Sequence, residues 1–160
     1  MAAIREAGRQ DAPLLLGLIR ESFETLYRRV GLTPANFSRH AAHMGTDWVL
    51  EQMDGGNRFF ILEDLGVPCG CVALRPAQAG AVELRRLAVL PAYRGRGLGR
   101  MLVAHVMAEA RRMGARRVTL GLWATAPELR RWYERRGFTI TETKTYPDLP
   151  LAVTHMAMDL

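Results

Sequence analysis

Long apolar runs are absent from this 160-residue chain. A bilayer-spanning helix takes about 20 consecutive apolar residues, and no segment approaches that. The opening residues, Met1-Ala2-Ala3-Ile4-Arg5-Glu6, also lack the apolar core of a signal peptide. A cytoplasmic protein with no membrane partner is the resulting expectation. Cysteine is nearly missing too: Cys69 and Cys71 are the only two, and no second pair or His-x-x-x-His array accompanies them. A disulfide framework and a four-ligand zinc site are therefore excluded, and no metal is expected. Two positions apart in a strand-like run, the cysteines should project from one face as small buried hydrophobes. Zinc-finger, basic-zipper and RNA-binding aromatic signatures are missing as well, which argues against a nucleic-acid partner.

The length and an apolar content near one half suit one domain, residues 1–160, with one sizeable core. Net charge is +6 and the pI about 10.1, which favours an anionic partner of some kind. The most informative segment is Arg94-Gly95-Arg96-Gly97-Leu98-Gly99. It follows the apolar run Leu87-Ala88-Val89-Leu90 and opens into the helix-like Met101-Leu102-Val103. Glycines let a backbone approach a ligand and aim successive N–H groups at one point, and a helix behind them adds unpaired donors and a positive dipole end. That combination suits a pyrophosphate, with Arg94, Arg96 and Arg100 gathered beside it. No Lys-Ser or Lys-Thr follows the last glycine, so this is not a nucleotide-hydrolysing Walker loop. It is not the dinucleotide fingerprint either, because no acidic residue stands about twenty positions on.

Periodicity gives an alternating order of elements. A short strand spans Ile4–Ala7. Asp11 is placed to cap a helix with Pro13 in its first turn, and Thr33-Pro34 to start a second helix running to about Met53 with an interruption near Gly45. Strands follow at 58–63, 67–74 and 81–90, then a well-defined helix at 97–113 that ends at Gly114. The strand 116–123 comes after this crossover helix and should lie parallel to its neighbour. Thr125-Ala126-Pro127-Glu128 has capping-box spacing for a helix to about Arg136, and strands at 138–145 and 153–159 close the order β-α-α-β-β-β-α-β-α-β-β.

Read as Arg94, Gly97 and Gly99, the pattern Arg/Gln-x-x-Gly-x-Gly/Ala resembles the coenzyme A pyrophosphate loop of the GNAT acyltransferase superfamily. Leu129-Arg130-Arg131-Trp132-Tyr133-Glu134-Arg135-Arg136-Gly137-Phe138 is similar to the late helix and strand entry of the same family. The resemblance implies an α+β fold: a central mixed, mostly antiparallel sheet, splayed between the fourth and fifth strands, with helices on both faces. It implies an acetyl-CoA-dependent N-acetyltransferase that moves acetyl directly to a primary amine of a small molecule or peptide. Leu87, Ala88 and Val89 would meet the pantetheine arm through their backbone, and an N–H near Ala88 or Val89 would stabilise the oxyanion. Gly95, Arg96, Gly97, Leu98, Gly99 and Arg100, with Arg94, would hold the diphosphate. Many members carry Asn where this chain has Ala126, so one pantetheine contact is missing.

By the same resemblance Tyr133 donates a hydrogen bond or proton to the departing thiolate, and Glu83 is the candidate base. Full transfer from a phenol near pKa 10 to a thiolate near 8.5 runs uphill by roughly 2 kcal/mol, which favours hydrogen bonding over transfer. A proton moved from a lysine-like ammonium near 10.4 to a carboxylate near 4.3 costs about 8 kcal/mol, which favours a water relay or capture of the neutral amine. Glu83 is equally suited to pairing with Arg85 or Arg86. The first two helices and the late hairpin loop bring Tyr27, Phe37, Trp48, Tyr146 and His155 toward the acceptor pocket, while His40 and His43 read as surface residues. Three alternatives stand beside this reading: a catalytically silent CoA-binding sensor, a protein or peptide N-terminal acetyltransferase, and a basic nucleic-acid-binding domain. The sequence names neither the acceptor nor the acyl chain, and leaves monomer and homodimer open.

Overall fold

The hairpin expected after residue 57 forms in the computed structural model, which describes residues 1–160: β2 (Arg58–Asp64) pairs antiparallel with β3 (Val67–Pro76). Its strands are almost wholly buried, because both faces are covered by helices. Before it stand β1 (Ala2–Glu6), α1 (Ala12–Val30) and α2 (Thr46–Asp54). After it come β4 (Ala81–Val89), α3 (Leu98–Arg112), β5 (Arg117–Trp123), α4 (Pro127–Glu134), β6 (Thr139–Lys144) and β7 (Val153–Asp159). The seven strands make one sheet in the order β1-β2-β3-β4-β5-β7-β6, antiparallel throughout except at β4 and β5. That exception follows from the α3 crossover, which returns the chain in the same direction.

Each face has its own core. Leu102, Val106 and Ala110 of α3 and Tyr133 of α4 pack on Phe60, Val72, Leu74, Val82 and Leu84. Leu15, Leu18 and Ile19 of α1 and Val49 of α2 pack on Phe59, Ile61, Cys71 and Ala73. Successive strand residues thus feed opposite layers, as a pleated sheet requires.

Two irregularities in β3 and β4 shape the molecule. Leu62 faces Gly70 while Glu63 faces Pro68, so Cys69 is an extra residue in β3. The bulge turns Cys69 into the α3 layer and leaves Cys71 in the α1 layer, correcting the expectation that both share a face. Both are buried free thiols, and burial pushes Cys71 up to about 12. In β4, Arg86 and Leu87 together oppose Val72 between the pairs Cys71–Ala88 and Ala73–Arg85, and Arg86 takes a positive φ of 53°. This bulge bends β4 away from β5, whose shared ladder stops at Glu83–Thr119.

The helix expected over 34–53 is confined to α2. Thr33 and Asn36 instead close a reciprocal turn, in which each backbone N–H donates to the other's side chain, and Asn36 also donates to the Gly31 carbonyl. A short 3-10 turn at Ala41–His43 follows, and His40, expected on the surface, is buried with its Nδ1 accepting from the Ala42 N–H. The capping-box reading of residues 125–128 also fails: Ala126 begins α4 without a side-chain cap, and Glu128 pairs instead with Arg29 of α1.

Asp11 does not cap α1 with its side chain. Its carboxylate accepts from Arg5 at 2.9 and 3.0 Å and from the Gly8 N–H at 2.8 Å, fixing β1 to the start of α1. The Arg5 guanidinium holds this carboxyl below the usual carboxylate range. A depressed pKa stabilises the fold above the unfolded value near 3.9, and that contribution is lost as pH falls through the folded value. Asp11→Ala is expected to lose about 1–2 kcal/mol at pH 7, part of the pair being open to water. Urea unfolding should show the gap between parent and variant shrinking below about pH 4, and a gap undiminished in acid contradicts this account.

Candidate active site

Where β4 and β5 part, a cleft of about 680 Å³ opens between α1, β4, the glycine loop and α4. Beyond Glu83 the β5-facing edge of β4 has no strand partner, while β5 continues paired to β7 as far as Trp123. An unpaired edge inside a cleft is a place for a ligand to hydrogen-bond as a strand would.

The loop below it is built for anions. Gly95 and Gly97 have φ of 80° and 77°, a left-handed conformation that a Cβ would strain. A Cβ at either would meet nothing within 4 Å, so conformation rather than space calls for glycine there. Gly97 caps α3 without a side chain, and the first amide with a protein partner is Met101, donating to the Gly97 carbonyl. The six amides from Gly95 to Arg100 donate to nothing in the protein. They sit at the positive end of a 15-residue helix. Gly99 serves packing instead, since a Cβ there would stand 3.1 Å from Trp132.

The arginines divide into two groups. Arg94 lines the cleft, but its guanidinium is engaged: Nε donates to the Val89 carbonyl at 3.0 Å, and the terminal nitrogens donate to Thr25 Oγ1 and the Ser22 carbonyl, each at 2.8 Å. It ties β4 to α1 and occupies a carbonyl that the family resemblance gives to pantetheine. Arg96 lies off the cleft, near Asp64 at 3.5 Å and over the Tyr93 ring. Arg100 and Arg135 line the cleft without a carboxylate partner. Arg136, also on the wall, lies 3.5 Å from the Trp132 ring centroid with its Nε buried and unpaired. Burial and then the charges of Arg100 and Arg135 hold its pKa below the ordinary value. Three guanidiniums without a carboxylate, beside six free amides, fit the phosphates of an acyl carrier. The sequence reading missed Arg135 and Arg136 because their positions depend on where α4 ends.

Of the expected site residues, Leu87, Ala88, Val89, Arg94, Gly95, Gly97, Leu98, Gly99 and Arg100 come together on the cleft, whereas Arg96, Glu83 and Tyr133 are not on its wall. Tyr133 follows Trp132, which is. Its ring is 5% exposed and packs edge-on to Trp132 and Phe138, and its hydroxyl has no protein partner. Burial holds the phenol far above its ordinary pKa, so it is a neutral donor. Glu83 stands at the last shared rung of β4 and β5, held by Arg75 at 2.9 Å and Arg85 at 3.1 Å.

On the α1 and α2 side of the sheet, Tyr27 and Phe37 are core residues. Trp48 is half-buried beneath the Arg86 guanidinium. His155 on β7 bonds Tyr146 Oη through Nε2 at 2.7 Å, which joins the β6–β7 loop to the sheet beside Gly121.

Known proteins agree with this architecture. The chain is 30% identical over 149 residues to an amino-acid acetyltransferase of Neisseria meningitidis, covering 92% of this chain and 29% of that protein. It is 36% identical over 93 residues to an amino-acid acetyltransferase of Ralstonia nicotianae, covering 58% and 19%. The chain therefore spans less than a third of these relatives. The PaiA N-acetyltransferase of Thermoplasma acidophilum, solved with coenzyme A, superimposes at a TM-score of 0.83 with 18% identity over 100% of this chain and 99% of that one. A GNAT family acetyltransferase of Elizabethkingia anophelis, solved with acetyl-CoA, gives 0.72 with 14% identity over 99% and 98%. The model of the acetyltransferase (GNAT) family matches residues 19–138. Fold, splayed strands and family match agree: the chain belongs to the acetyltransferase (GNAT) family.

Proposed function

We propose that this chain is an acetyl-CoA-dependent N-acetyltransferase that delivers acetyl directly to a primary amine of a small molecule or peptide. The six undonated amides of Gly95–Arg100, at the end of α3 and beside the free edge of β4, carry this reading. Diphosphate is held by those amides and by Arg100, Arg135 and Arg136. Backbone groups of Leu87 and the Val89 N–H receive the pantetheine arm along the edge that β5 leaves open, Ala88 being paired to Cys71 of β3 and the Val89 carbonyl to Arg94. Acetyl-CoA supplies an activated thioester, and the protein's part is to fix its carbonyl against a β4 amide and to exclude water. Tyr133 stabilises the departing sulfur. Thiol release on mixing acetyl-CoA with polyamines, amino acids, aminoglycosides and short peptides tests this function. A folded protein that binds acetyl-CoA but releases thiol with none of them is a sensor, the reading favoured by Ala126 standing buried at the start of α4.

Glu83 is the proposed base, acting on a water or orienting an amine that arrives neutral. Its two arginine partners anchor the carboxylate at the mouth of the splay. Glu83→Gln is expected to lower kcat/KM for the amine by about tenfold to a hundredfold while leaving acetyl-CoA affinity unchanged. Steady-state kinetics matching the parent would remove Glu83 from the mechanism.

A further inference from the structure

The bulge in β4 does more than open the cleft. By inserting one residue it turns both Arg85 and Arg86 toward the α1 and α2 layer, where strict alternation would send one of them to the α3 layer. Arg85 is satisfied there: it pairs with Glu83 and donates to Gln52 Oε1 at 3.1 Å. Arg86 is not. Its guanidinium lies 4.7 Å from the Trp48 ring centroid, its Nε is buried without a hydrogen-bond partner, and no carboxylate pairs with it. Arg75 and Arg85 take the single carboxylate of Glu83, and Arg39 close by is matched by Asp148, so none remains for Arg86. Two positive charges are left over on this side of the splay.

An unpaired, half-buried guanidinium is costly, and stacking on an indole returns only about 0.5–2 kcal/mol. Burial and then the Arg85 charge pull its pKa down to about 10, so it is charged at neutral pH. Arg86 and Trp48 are not on the cleft wall, but Arg86 precedes Leu87, which is, so an anion held on Arg86 lies one residue along β4 from the cleft. One guanidinium face is covered by Trp48, leaving the planar edge, and a planar edge matches a carboxylate through paired N–H donors.

We infer that Arg86, stacked on Trp48, anchors a carboxylate of the acceptor, making the substrate an amine that also carries a carboxylate. This inference rests on the function proposed above and narrows it. Arg86 contacts the part of the acceptor that does not react, so it sets specificity.

The test compares the parent protein, Arg86→Gln and Arg86→Lys in acetyl-CoA turnover with amino acids and short peptides, each paired with its C-terminal amide. The parent is expected to favour free carboxylates over amides by at least about tenfold in kcat/KM, mainly through KM. Arg86→Gln should abolish that preference with kcat and acetyl-CoA affinity little changed, and Arg86→Lys should restore part of it. A parent that turns over no carboxylate-bearing amine better than its amide overturns the inference, as does an Arg86→Gln protein that keeps the preference. Amines lacking a carboxylate but bearing phosphate, if favoured by the parent, also overturn it. Calorimetry on the same preparations separates the two levels, because loss of acetyl-CoA binding by the parent defeats the function itself rather than Arg86.

Discussion

Tyr133→Phe is expected to lower kcat by about a hundredfold, the cost of removing the single donor proposed for the departing sulfur, while acetyl-CoA binds as before. The substitution is clean. The ring keeps its edge-on packing against Trp132 at 5.0 Å and Phe138 at 5.6 Å, and only a hydroxyl with no protein partner is lost. Folding stability should therefore stay within about 1 kcal/mol of the parent. Burial raises the phenol's pKa above its ordinary value, which makes full proton transfer to a thiolate still less favourable than it is for a free phenol. The role proposed for Tyr133 is therefore a hydrogen bond to sulfur, with the final proton drawn from the product ammonium or water. No alkaline limb from this phenol should appear in the pH–rate profile at physiological pH. A Tyr133→Phe enzyme with parental turnover would show that the ring serves packing alone.

Gly97→Val has the second large effect, and it falls on binding. Residue 97 has φ 77° and ψ 11°, where a β-branched side chain is strained by about 1–3 kcal/mol. Because a Cβ there meets no neighbour, the cost is conformational, and rotating the flanking peptides to relieve it re-aims the free amides of Gly97 and Leu98. The dissociation constant for acetyl-CoA should rise at least about tenfold, the equivalent of 1.4 kcal/mol, with a fall in stability of similar size. An affinity within twofold of the parent would mean that this loop does not hold the diphosphate.

The glycine loop and the element order were legible because their signals are local. Positive-φ glycines before an apolar helix, and period-two runs bounded by turn residues, depend on neighbours in the chain. The parallel β4–β5 pair was legible for the same reason, through the crossover helix between them. What escaped depends on partners far away in sequence. Asp11 has the residue type of a helix cap, yet Arg5 takes its carboxylate; Glu128 has the spacing of a capping box, yet Arg29 of α1 takes it. The two bulges were invisible because a single extra residue leaves hydrophobicity unchanged while reversing which face each later side chain meets. That is why Cys69 and Cys71, both buried, face opposite layers, and why Arg86 turns to Trp48 rather than pairing with Glu83. Segment 34–45 kept apolar residues at helical spacing, but the Thr33–Asn36 turn and the His40 cap satisfy its backbone locally.

The central claim is that free main-chain amides at the start of α3 hold the diphosphate of an acyl carrier. Isothermal titration of the intact, folded chain with acetyl-CoA tests it most directly. One binding site per chain, with a dissociation constant between roughly 1 μM and 1 mM, is the predicted result. No heat of binding from folded protein at millimolar acetyl-CoA would contradict it.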